Sequence, residues 1–171
     1  VKNSIKFKGL ENILDEVQKI LVKFEMIQQS TKKHKQYYEI SSLMNDKGYY
    51  LVAITYIREA ILLYVLDSIS EFVKKNVYDS YKKSNAVNDL LNGKSPDPYI
   101  FDDIEILKKK LNGQGFLGLK KMFEDIAKVR NDLVHINPKP KEIKQEIIIP
   151  LARALNDFKN KCIINDCLKN I

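Results

Sequence analysis

The chain has 171 residues, a formal net charge of +7 and a pI near 9.2. That length suits one domain with a real core, read as a single unit over residues 1–171. Two cysteines and two histidines argue against a disulfide framework and against a zinc site, so no metal and no cofactor is expected. The positive charge is compatible with an anionic partner, although a surplus of lysine, asparagine and isoleucine also fits an AT-rich genome.

In chain order, apolar residues at Leu10, Ile13, Leu14, Val17, Ile20, Leu21, Phe24 and Ile27 show the three-and-four spacing of an amphipathic helix. A more polar helix is predicted from about Lys33 to Asn45, closed by "NDKG" through Gly48. His34, in "TKKHKQ", reads as a surface residue. Tyr49 to about Lys75 is apolar on nearly all sides and is predicted to be the central, most buried helix. Its stretch "YYLVAITYIREAILLYVL" is long enough to cross a bilayer. Arg58 and Glu59 at its middle would each cost roughly 2.5–3.5 kcal/mol there, which favours a buried soluble helix and no membrane association. The tyrosines Tyr37, Tyr38, Tyr49, Tyr50, Tyr56 and Tyr64 read as core and interface residues, with base stacking open to one or two.

Asn76 to Lys94 reads as a short helix in a variable connection, and "GKSPDPY" as a loop. Helices follow from Phe101 to Leu111, broken by "NGQG", and from Phe116 to His135. A last helix runs from about Glu142 to Leu168, its stripe being Ile148, Leu151, Leu155, Phe158 and Cys162. Pro150 kinks it or marks its true start. There is no strand alternation, repeat or glycine-rich phosphate loop. The expected fold is therefore all-α, with short connections making neighbouring helices antiparallel. Cys162 and Cys167 read as reduced thiols of a cytoplasmic protein.

"VRNDLVHINPKP" needs its own account. At ~100° per residue, Phe116, Leu119, Phe123, Ile126, Leu133 and Val134 share one face, and Arg130 falls near its middle. A guanidinium cannot shed its proton, so it needs an acidic partner, an anion or an opening to water. Asp132 or Glu59 could pair with it, leaving His135 as a helix C-terminal residue that suits the dipole. Alternatively both side chains converge on a cavity beyond the helix end, which "INPKP" stops.

"RNDLVH" resembles the R-x4-H motif of the HEPN superfamily, and the helical context, with "GYYLVAITYIREA" in the central helix, is most similar to the HEPN half of CRISPR-associated CARF–HEPN proteins. The resemblance implies an antiparallel HEPN-like bundle with a variable helical insertion. It also implies a metal-independent endoribonuclease that cuts single-stranded RNA as a homodimer in antiviral defence. Arg130 would hold the scissile phosphate, His135 would move protons, and Asn131 would orient either. The chain begins at Val1, so an upstream CARF-like sensor domain that binds cyclic oligoadenylate is expected outside it. Arg58 is either a second RNA contact or half of a buried ion pair. Lys139, Lys141 and Lys144 either guide the RNA backbone or are plain solvated lysines. Three other readings stay open: a non-catalytic HEPN module that binds nucleotide or protein, a HEPN toxin of a toxin–antitoxin pair, and an unrelated helical adaptor domain in which the motif is chance. HEPN toxins modified by a nucleotidyltransferase carry tyrosine two positions after the histidine. Here that position is Asn137, which weighs against the toxin.

Overall fold

The structure, a computed structural model, describes residues 2–135 and 143–168. Within them it is all-α, with seven helices: α1 (Lys2–Gln28), α2 (Lys33–Asp46), α3 (Tyr50–Ser68), α4 (Ser80–Leu91), α5 (Ile104–Leu111), α6 (Gln114–His135) and α7 (Ile149–Phe158). No strand occurs among the described residues, only an isolated antiparallel bridge between Val73 and Phe101. No described helix is long and apolar enough to cross a membrane.

α3 is the centre, as its apolar pattern predicts. Ala53, Ile54, Ile57, Ala60, Ile61, Leu62, Tyr64 and Val65 are all buried. Its most extensive partner is α2. The small residues let the two helices close up, and the buried Ser41 hydroxyl donates to the Ala53 carbonyl across 2.6 Å. Gly48 makes the sharp reversal between them at a φ of +79°, where a side chain would be strained. Around α3 pack α4, α6 and α7. At the heart of the core the Phe158 ring lies 5.8 Å from Tyr38 and 6.1 Å from Tyr64.

Several boundaries differ from the sequence expectation, each for a local reason. α3 stops at Ser68 and not near Lys75. The Ser68 hydroxyl donates back to the Tyr64 carbonyl at 2.8 Å and Ser70 to the Asp67 carbonyl at 2.8 Å, the competition with helix extension that serine offers. The chain then runs extended at Val73, and Lys74 and Asp102 donate across to Ile100 and Phe72. That pairing also delays α5, which begins at Ile104 and leaves Phe101 buried in the core. α4 starts where the Asp79 carboxylate accepts from the amides of Tyr81 and Lys82. Pro150 sits in the first turn of α7, which a wide π-type turn over Ile143–Ile148 leads into.

Over residues 11–28 α1 is unevenly packed. Ile27 is buried and Ile20 and Phe24 are half-buried, but Ile13, Leu14, Val17 and Leu21 are 47–62% exposed. The cause is length. α1 has 27 residues and α2 only 14, so a helix running back along α1 covers little more than its C-terminal half.

Candidate functional site

α6 is amphipathic, and its core line comprises Phe116, Leu119, Met122, Phe123, Ile126 and Val129, all buried. Arg130 lies seven residues after Phe123 and so within ~20° of it on the wheel. The expected angle is therefore right, but the burial is not. Arg130 and Asn131 are exposed, Leu133 is half-buried and Val134 is 53% exposed. Past Val129 the face is covered unevenly: Leu133 still packs against the core, while Arg130 and Val134 are open to water. Among the described residues neither Asp132 nor Glu59 pairs with Arg130. The side chain of His135, together with Lys139 and Lys141, lies outside the described part. Lys144 is exposed.

Arg58 projects from α3 into the wedge between α4 and α6. Its Nη2 donates to Asn88 Oδ1 at 3.1 Å, and its guanidinium lies 4.6 Å from the centre of the Phe123 ring. Its Nε is buried with no partner. Burial lowers the Arg58 pKa from its ordinary value, the charge of Arg130 lowers it further, and Glu59 opposes both. Among the described residues no carboxylate forms an ion pair with Arg58. A donor left unmade in the interior costs roughly 1–3 kcal/mol, and the stacked ring returns about 0.5–2 kcal/mol. Arg130, Arg58 and Asn88 are brought to one side of the bundle by three different helices, and Asn88 was invisible to sequence reasoning. No local signal marks an asparagine in a variable helix. Only the α3–α4 contact reveals it.

The opposite flank of α6 borders a cavity of about 770 Å³, walled on its other side by α7 and the turns that flank it. Its charged lining alternates Lys121, Lys128, Arg153 and Lys161 with Asp125, Asp132, Glu146 and Asp157. The two signs balance, so this groove has little pull on a polyanion. Arg130 is not among its walls.

His34 departs most from expectation. It is 2% exposed, not a surface residue. Its Nδ1 lies 2.8 Å from Asp67 Oδ2 and its ring meets Tyr64 edge-on at 5.3 Å. The signal that was available is the line His34, Tyr38, Ser41 on one helical face, all three buried. The Tyr64 hydroxyl donates to Asp166 at 2.9 Å and accepts from the Leu168 amide at 3.0 Å, which ties the end of the chain to α3. Burial lowers the His34 pKa below 6.5, outweighing the hydrogen bond to Asp67 that raises it. The unfolded chain therefore binds the proton more readily. This contribution to stability is complete above the unfolded value and is lost as pH falls through the folded one. Melting temperature should fall between about pH 7 and pH 5, and fall less steeply in His34→Asn. Equal slopes in the two proteins would show that His34 is not the titrating group.

Cys162 and Cys167 are both free thiols. The hydrogen bond between them, and then burial, push Cys162 up, while the same hydrogen bond makes Cys167 the more acidic of the two. No family model, curated protein or solved structure matches this chain.

Proposed function

We propose that this chain is a HEPN-type, metal-independent endoribonuclease module that cuts single-stranded RNA. The observation that carries the reading is Arg130: a cation on the core line of α6, open to solvent at the helix end, with no carboxylate among the described residues to neutralise it. It stands five positions before His135, the spacing of the motif. In the proposed reaction the 2′-hydroxyl of the RNA attacks the adjacent phosphorus. A new P–O2′ bond forms as the P–O5′ bond breaks. His135 passes the proton, accepting it from the 2′-hydroxyl or giving it to the departing 5′-oxygen. A second copy across a two-fold axis supplies the other partner of this acid–base pair. Arg130 balances the charge that grows on the phosphoryl oxygens. Asn131, exposed next to Arg130, orients His135 or the phosphate. The wider setting we propose is a homodimer in the cytoplasm, in CRISPR-linked antiviral defence, controlled by an upstream CARF-like sensor for cyclic oligoadenylate.

The test is cleavage of labelled single-stranded RNA in the presence of a chelator. The products should carry a 2′,3′-cyclic phosphate and a 5′-hydroxyl, because the nucleophile is internal. A 2′-deoxy nucleotide at the cut position should stop the reaction. Cleavage only with added magnesium, or products ending in 5′-phosphate, would refute the mechanism.

A further inference from the structure

We propose that Arg58 and Arg130 form a two-guanidinium clamp on one phosphate of a single RNA strand, and that Asn88 and Phe123 are positioning residues that aim Arg58. The identity of the strand rests on the ribonuclease reading; the clamp itself rests on geometry. Arg58 lies over Phe123, and Arg130 follows Phe123 on the same face of α6, ~10.5 Å further along the axis. Side chains on a helix lean toward its N-terminus, so Arg130 leans back toward Phe123 and the Arg58 that covers it. Both side chains are long enough to reach toward one phosphate placed between them.

The electrostatics agree. Two like charges lie on the same side of the bundle, and no carboxylate among the described residues pairs with either. Arg130 is near enough to depress the charged state of Arg58. An anion between them removes that repulsion, and a carboxylate in place of Asn88 would do so without any ligand. The neutral amide of Asn88, 3.1 Å from the Arg58 Nη2, instead fixes the guanidinium and leaves its charge uncompensated. The flat face of Phe123 holds the guanidinium plane without neutralising it. Both supports thus orient the cation and keep it available, which distinguishes this site from a structural ion pair.

The experiment is binding of a fluorescein-labelled, uncleavable 2′-O-methyl single strand, followed by anisotropy across a range of salt. Arg58→Ala should weaken binding about tenfold or more, the worth of one charge-assisted hydrogen bond. It should also make the salt dependence shallower by ~0.7 in log–log slope, one phosphate contact on a single strand. Asn88→Asp is the decisive second variant, because it keeps the Arg58 packing and places a carboxylate against the guanidinium. It should weaken binding similarly while the fold stays as stable as the parent or more so, and combining it with Arg58→Ala should add nothing further. A merely structural Asn88 predicts unchanged binding in Asn88→Asp. Parent-like affinity and slope in both variants, or no binding by the parent, overturns the clamp. If Arg58→Ala does not fold, the Asn88→Asp result alone decides. Failure of the ribonuclease reading looks different: unmodified RNA stays intact while the salt slopes shift as stated. RNA cut normally with unshifted slopes sinks the clamp and spares the ribonuclease.

Discussion

In chelator, His135→Ala is expected to slow RNA cleavage by ~10²–10⁴, the usual scale for loss of a general acid or base. Arg130→Ala removes a donor to the developing phosphoryl charge and should cost about 10²–10³. The two losses should not multiply, since both groups serve one transition state. Single-turnover cleavage of an end-labelled strand measures each effect. What gives the experiment its force is the surroundings of Arg130. Its side chain is exposed and touches no carboxylate among the described residues, so Arg130→Ala should leave the unfolding free energy within about 0.5 kcal/mol of the parent. Lost cleavage with an intact melting curve is the signature of chemistry. A collapsed fold would mean that Arg130 holds the bundle together, and the proposal for its role would fall.

The largest stability effect is expected at Phe158. It is fully buried, and its ring packs between Tyr38 and Tyr64 where α2, α3 and α7 meet. Phe158→Ala removes that ring and leaves a cavity that three different helices would have to move to fill, at a cost of about 3–5 kcal/mol. Domains hold only about 5–15 kcal/mol in all. At roughly 2–4 °C per kcal/mol for a chain of this size, the melting temperature should fall by about 6–20 °C. Circular dichroism during thermal or urea unfolding measures it. Leu21→Ala is the matched control: the same kind of truncation on α1, at a side chain 57% exposed, expected within about 0.5 kcal/mol of the parent. A Phe158→Ala loss below about 1 kcal/mol would mean that the ring is not a core residue in solution.

What was legible in the sequence was local. The 3.6-residue period named the helices. Gly48, "GKSPDPY" and Pro150 marked where the chain turns or restarts, because turn chemistry depends on a few adjacent residues. The apolar perimeter of the segment from Tyr49 to about Lys75 identified the helix that neighbours would surround, though not where it ends. The six residues "RNDLVH" picked out the part of α6 on which the proposed function rests. The tertiary structure decided what depends on how far neighbouring helices reach. A helical wheel gives an angle and says nothing about height. It put Arg130 correctly in line with Phe123, yet could not show that Val129 is buried while the arginine beside it lies in water. The same blindness hid the bare stretch of α1, since the stripe from Ile13 to Leu21 looks the same whether or not another helix lies over it. Pairings between distant segments were equally closed to the sequence. His34 finds Asp67 thirty-three positions away, and Arg58 finds Asn88 thirty positions away. Such partners are chosen by which helix faces meet when the apolar stripes are buried together. That is a property of the packed bundle and not of any one stretch of chain.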